Sequence, residues 1–193
     1  MPTIGILSVQ GDFLEHTKSM QDLGVEIAEV RLPSQLENID GLIIPGGEST
    51  TIGQLIDLYN LRQPISSKVK AGMPVWGTCA GMIILSSKLD NSRPNPLRLM
   101  GIEVSRNAFG RQIDSFEEDI EFDGIDGPPF PGVFIRAPMV NKAAKEVQIL
   151  SVVRNGCPVA VKQNHMLATS FHPELTSDNR VHKFFLEMIE ESN

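Results

Sequence analysis

A chain of 193 residues with 17 basic and 24 acidic side chains, net charge -7, has room for one sizeable core and no basic field to hold a nucleic-acid backbone. Its N-terminus, MPTIGILSVQGD, lacks the basic n-region and cleavage site of a signal peptide, and no apolar run approaches the roughly 18 residues of a membrane span, so a cytoplasmic protein is expected. The two cysteines, Cys79 and Cys157, stand far apart and outside any C-x-x-C pair, which in a reducing compartment argues against a disulfide framework and a zinc site.

Thr3 to Val9 (TIGILSV) predicts the first strand. Asp12 and Glu15 then make a capping-box-like start for a helix carrying Phe13, Thr17, Met20 and Leu23, closed by Gly24. Val25 to Leu32 is the next strand, and Gly41 to Ile44 is a short, continuously apolar one. From it the turn Pro45-Gly46-Gly47-Glu48-Ser49-Thr50 leads into a helix through Leu55 and Leu58, and Met73 to Gly77 runs into Ala80 to Ser87 in the same way. Apolar strands alternating with helices predict a parallel sheet covered on both faces.

Beyond Asp90 the texture changes. NSRPNP reads as a loop, and GIEVSRNAFGRQ, DIEFDGI, GVFIRAP, VQILSVV, CPVAVKQ and MLATSFHPE follow as strand after strand. Asn155-Gly156 is a hairpin signal. The segment Asp178 to Glu191 carries Val181, Phe184, Phe185, Met188 and Ile189 at helical spacing and should lay one face on the sheet. With no repeat and no linker, residues 1–193 are expected to form a single α/β domain. Its open, mainly parallel, flavodoxin-like sheet would have helices on both faces and antiparallel strands in the C-terminal half.

Gly77-Thr78-Cys79-Ala80-Gly81 sits where a strand becomes a helix. Small neighbours let a chain make the sharp turn that presents a nucleophile, and a helix start favours a thiolate. Cys79 is therefore a candidate nucleophile; the alternative is a small buried residue between two packing glycines. Cys157, entering a strand after a turn, reads as packing. A thiol nucleophile needs a base and the base needs an orienting group. Among the four histidines, His182 reads as a surface or cap residue of the last helix, His16 lies inside the first helix, and His165 has no assigned role. In Ser170-Phe171-His172-Pro173-Glu174, at a strand end, His172 and Glu174 fall two apart and would point the same way in extended chain. Backbone N–H groups of Gly47, in the first glycine turn, and of Ala80 would complete an oxyanion hole, although 45–49 taken alone reads first as an ordinary glycine turn.

G-T-C-A-G, F-H-P-E and P-G-G-E-S-T resemble the motifs of class I, triad-type glutamine amidotransferases. More narrowly, IGILSVQGDFLEH, GLIIPGGESTTIG, PVWGTCAGMIIL, SRNAFGRQIDSFE, VFIRAP and ATSFHPEL resemble, in order and through nearly the whole chain, the glutaminase subunits of pyridoxal 5′-phosphate synthases. That resemblance implies the class I glutamine amidotransferase fold and hydrolysis of L-glutamine by Cys79, His172 and Glu174 through a glutamyl thioester. It also implies a glutamine pocket lined by Gly47, Glu48, Ser49, Arg106, Ile135 and Arg136, with no metal and no cofactor. Ammonia would pass to a separate synthase subunit that builds the vitamin B6 ring, and Gln10, Gly11 and Asp12 are the expected docking loop. Residues 119–133 fit the resemblance loosely and carry no assigned role. Another cysteine hydrolase of this architecture would keep the triad without needing Arg106 or the QGD block. A silent binding subunit would have no need of Cys79 or His172.

Overall fold

The computed structural model describes residues 2–90, 92–106 and 115–192. In its first half β1 (Thr3–Leu7), α1 (Phe13–Asp22), β2 (Glu26–Val30), β3 (Gly41–Ile44), α2 (Ser49–Leu58), α3 (Arg62–Lys70), β4 (Val75–Thr78) and α4 (Ala80–Leu85) alternate along the chain. Then come β5 (Ser86–Leu89), β6 (Met100–Ser105), β7 (Ser115–Ile120), β8 (Phe130–Ile135), β9 (Met139–Ala143), β10 (Gln148–Val152), β11 (Pro158–Gln163), β12 (Met166–Thr169) and α5 (Arg180–Ser192).

The central sheet has seven strands in the order β10-β11-β12-β4-β3-β1-β2. Strands β2, β1, β3, β4 and β12 run parallel to one another, and β12 pairs antiparallel with β11 on its other side. The five parallel strands have the flavodoxin-like 2-1-3-4-5 order, in which strand order reverses between β1 and β3 and sites open at the carboxyl ends. Every residue of β3, β4 and β12 is buried, as continuous apolar strands demand when both faces are covered. On one face Ile52, Ile56, Ile65, Val69 and Ile84 of α2, α3 and α4 pack together with Leu42 and Val75. On the other, Met20 of α1 and Val181, Phe185 and Ile189 of α5 meet Ile43 and Trp76.

The antiparallel strands do not all extend this sheet. Only β11 and β10 do, joined by the expected Asn155-Gly156 turn, where Asn155 Oδ1 accepts the Cys157 N–H at 2.9 Å and Gly156 has φ 81°. Strands β5, β6 and β9 form a separate three-stranded sheet, and β7 pairs with β8 alone. The reason lies in their patterning: β6 alternates buried and half-buried positions, and β7 alternates exposed and half-buried ones until Ile120, so each has one face to hide. Helix α3 and strands β5 and β9 lack the periodicity that announces an element; α3 buries only Ile65, Ser66 and Val69 and carries Pro64. The expected capping box at α1 is not formed, because the Asp12 side chain makes no cap hydrogen bond. Helix α5 starts at Arg180, whose N–H donates to Asp178 Oδ1 at 3.0 Å. The 107–114 part of the SRNAFGRQIDSFE block lies outside the described residues.

Candidate active site

Four adjacent strands, β12, β4, β3 and β1, end on the same side of the sheet, and the residues that follow them converge. After β4 the chain turns at Cys79 with φ 46° and ψ -101°, a conformation that a non-glycine residue holds only under constraint. The constraint is close approach. A Cβ at Gly77 would lie 2.4 Å from the backbone carbon of Gly81, and one at Gly81 would lie 2.0 Å from the Ile44 carbonyl oxygen. The glycines flanking Cys79 are thus dictated by how tightly α4 begins against β3 and β4. Cys79 N–H donates to the Thr169 carbonyl at 2.8 Å, which ties the turn to the end of β12. Its sulfur lies 3.7 Å from the Ile135 carbonyl oxygen, and the residue keeps 7% of its surface open.

After β12, His172 N–H donates to the Val133 carbonyl at 2.8 Å, and the His172 Nδ1 lies 2.8 Å from Glu174 Oε1. The two side chains do face together, but extended backbone is not the cause: Pro173–Leu175 is a 3₁₀ turn that brings Glu174 back under the ring. Burial resists a charged imidazole, yet the Cys79 sulfur and the Glu174 carboxylate outweigh it and push His172 well above its ordinary value. Burial pushes the Glu174 carboxyl up, with His172 offsetting part of the shift. Asp12, freed from capping, places Oδ2 3.4 Å from His172 Nδ1. Asp12, His172 and Glu174 offer ligand atoms within 4.8 Å of one another. With Nδ1 of His172 committed to Glu174, that grouping has the chemistry of an oriented base more than of a metal cage.

After β3 come Gly46, Gly47 and Glu48. Ser49 is buried, and the Glu48 carboxylate accepts the N–H groups of Thr50 and Thr51 at 3.1 and 2.7 Å. Burial raises the Glu48 carboxyl, but these hydrogen bonds win and hold it below its ordinary value. Arg106 reaches Glu48 Oε1 at 3.3 Å and Thr50 Oγ1 at 3.3 Å, which brings the predicted pocket residues 48 and 106 together. Ile135 is 40% exposed and Arg136 is exposed with φ 45°; what Ile135 turns toward Cys79 is its carbonyl. After β1, Asp12 N–H donates to the Gly46 carbonyl at 3.1 Å and Gln10 Oε1 accepts the Glu48 N–H at 2.9 Å. The loop expected to dock a partner therefore grips the glycine turn.

His182 is not a surface or cap residue. It is fully buried, packed edge-on against Trp76 at 5.0 Å, and its Nε2 lies 3.0 Å from His16 Nδ1. His16 is fully buried too. The signal was helical phase: 182, 185 and 189 share a face in α5, as 16 and 20 do in α1. His165, at 2.7 Å from the Val69 carbonyl through Nε2, ties β12 to α3. Burial pushes the Cys157 thiol up, in keeping with a packing role.

The sequence profile of the SNO glutamine amidotransferase family matches residues 6–191. A Frankia alni protein named pyridoxal 5′-phosphate synthase subunit PdxT is 50% identical over 193 residues, covering 99% of this chain and 96% of its own. A Dehalococcoides mccartyi protein of the same name is 53% identical over 187 residues, covering 96% of each. The crystal structure of a glutamine amidotransferase superposes with a TM-score of 0.90 at 45% identity, covering 97% of this chain and 98% of its own. A Thermoplasma acidophilum protein described as part of a GMP synthase shares the fold, with a TM-score of 0.71 at 17% identity over 99% of this chain and 95% of its own. Over nearly its whole length the chain belongs to the SNO glutamine amidotransferase family.

Proposed function

We propose that the chain hydrolyses L-glutamine to L-glutamate and ammonia and delivers the ammonia to the synthase subunit of a pyridoxal 5′-phosphate synthase. The observation that carries this reading is the buried His172–Glu174 pair beside Cys79 at the ends of adjacent strands β12 and β4. Cys79 sulfur, as thiolate, attacks the side-chain amide carbon of glutamine. The negative charge that develops on the amide oxygen is met by the N–H groups of Gly47 and Ala80. His172, carrying the proton from the thiol, gives it to the departing nitrogen, and ammonia leaves with the C–N bond. Water then attacks the γ-glutamyl thioester, His172 takes its proton, and the C–S bond breaks to release glutamate and restore the thiol. Glu174 holds the imidazole in the tautomer and orientation both steps need.

The α-amino and α-carboxyl groups of glutamine need partners of opposite charge once desolvated. Glu48 and Arg106 supply both signs within 3.3 Å of each other, with Gly47, Ser49, Ile135 and Arg136 completing the pocket. We take residues 1–193 as one domain acting in the cytoplasm, where the thiol stays reduced. The synthase docks over Gln10, Gly11 and Asp12, and the hydrogen bonds of Asp12 to Gly46 and of Gln10 to Glu48 give docking a route to the oxyanion site.

Ammonia release from glutamine, measured with and without the synthase, tests this. Wild type should turn over faster with the synthase, and an electrophilic glutamine analogue should label Cys79 and spare Cys157. Equal turnover in both conditions would contradict the docking role; labelling of Cys157 alone would remove the nucleophile.

A further inference from the structure

The two oxygens of Glu174 face two different histidines. Oε1 holds His172, as described; Oε2 lies 3.3 Å from Nε2 of His16, and both side chains are fully buried. Oε2 makes no hydrogen bond of full geometry to any group among the described residues, His16 included; the 3.3 Å approach of His16 Nε2 is a contact of distance alone. A buried carboxylate oxygen without a donor is costly, so the state of the His16 nitrogen that faces it bears on how Glu174 sits.

The protons can be placed by elimination. A carboxylate only accepts, so a useful His16 Nε2 must carry hydrogen; that N–H lies between Glu174 Oε2 and Thr78 Oγ1, 3.1 Å away. A neutral imidazole has one N–H, which leaves Nδ1 of His16 as an acceptor. Nε2 of His182 lies 3.0 Å from it and supplies the hydrogen. The Nδ1 of His182 is then bare, and it is the ring nitrogen that has no partner among the described residues. An unpaired buried acceptor is better tolerated than an unpaired N–H. Burial above all, with the charge of His172 nearby, holds His16 far below its ordinary value, and burial takes His182 down to about 3. Both rings stay neutral, and every N–H in the chain His182, His16 points toward Glu174.

We infer that His16 is a positioning residue for Glu174: its Nε2–H fixes the second carboxylate oxygen so that the first stays aimed at His172, while His182 fixes the His16 tautomer that makes this possible. His16 contacts neither Cys79 nor the glutamine pocket; it acts through Glu174. The inference rests on the reading of Glu174 as the group that orients His172.

Nitrogen-15 NMR of the histidine rings in the wild-type chain is the first test. His16 should be neutral and protonated on Nε2 from about pH 6 to pH 8; a ring protonated on Nδ1, or charged, overturns the inference. The second test is turnover in the complex with the synthase. His16→Leu should lower kcat about tenfold or more with KM for glutamine unchanged, the size typical of losing a group that orients a functional side chain. His16→Gln, whose amide nitrogen can occupy the place of Nε2, should restore most of the loss. The double variant His16→Leu with Glu174→Gln should be no slower than Glu174→Gln alone. Additive losses, or a kcat for His16→Gln as low as for His16→Leu, overturn the inference. If His16→Leu does not fold, the NMR result and the His16→Gln kcat, expected within a few-fold of wild type, still decide. Full activity in Glu174→Gln would instead remove the reading of Glu174 on which this rests; impaired Glu174→Gln with unaffected His16→Leu would sink the inference alone.

Discussion

Two strand-to-helix turns lie side by side at the carboxyl end of the sheet, after β3 and after β4, and they start their helices in opposite ways. At α2, Glu48 caps the helix with its own carboxylate, taking Thr50 N–H, Thr51 N–H and the Thr51 hydroxyl. At α4, Cys79 occupies the cap position with positive φ and no side-chain cap bond. Caps stabilise by about 1 kcal/mol, and strained backbone costs about 1 to 3 kcal/mol. The second turn gives up the first and accepts the second, and is held instead from outside, by Thr169 and by the approach of Gly81 to Ile44. Local stabilisation is withheld at the turn that carries the proposed nucleophile.

The sharpest way to break the comparison is to remove the sulfur. Cys79→Ala should cut glutamine turnover roughly 10⁴-fold or more, as loss of a nucleophile from a triad does, while the melting temperature stays within a few degrees. Turnover within tenfold of wild type would mean that the strained turn serves packing alone. The underside of the same turn can be probed by pH, because Thr78, the residue before Cys79, touches His16. His16 and His182 are held below the ordinary imidazole value of 6.5, His182 at about 3. Below pH 6.5 the unfolded chain binds protons that the folded one refuses. Stability is therefore full above that pH and falls as pH drops, by about 1.4 kcal/mol per pH unit for each histidine. His172, held above its ordinary value, works in the opposite sense near pH 6.5 and adds no slope about a unit below it, where it is protonated in both states. Glu174, pushed up by burial, also works in the opposite sense near its own titration. Denaturant unfolding between pH 6.5 and 4.5 should show a shallower slope for His182→Phe than for wild type, by about one proton. Equal slopes would show that His182 titrates alike in both states.

How much of this was legible depended on whether the side chain's partner lay nearby in sequence. The glycines around Cys79, the apolar strands and the turn residues state their geometry locally, and so did the pairing of His172 with Glu174, even though a 3₁₀ turn and not extended chain produces it. His16 and His182 meet across 166 positions, and a polar residue on an apolar helix face reads as an exception to the pattern until the partner is known. Asp12 was legible as a cap by residue type, but its carboxylate turns to His172 instead. Strand β6 announced itself, whereas β7 shares only Asp119 and Ile120 with the strand expected at DIEFDGI; that both leave the main sheet did not show, because alternation says one face is buried without saying against what.

A smaller effect comes from filling the contact that holds the second turn. Gly81→Ala would place a methyl 2.0 Å from the Ile44 carbonyl oxygen, backbone that cannot rotate away. Either β3 or α4 must shift, at a cost of about 3 kcal/mol. Urea unfolding reads it directly, and turnover should fall with it, since the same shift moves Cys79. Unchanged stability would show that the two turns are not braced against each other.

The smallest expected effect is at the capped turn. Glu48→Ala removes the acceptor for two backbone N–H groups and the partner of Arg106, and should destabilise the fold by about 1 kcal/mol. The surface ion pair with Arg106 adds little, because half of the Glu48 side chain is exposed. Glu48→Asp keeps the charge but shortens the reach, and Asp is itself a favoured cap, so it should recover stability without recovering the contact to Arg106. KM for glutamine separates the two roles. A raised KM in both variants with stability lost only in Glu48→Ala assigns the carboxylate to substrate as well as to the helix, whereas KM tracking stability would leave Glu48 a cap and nothing more.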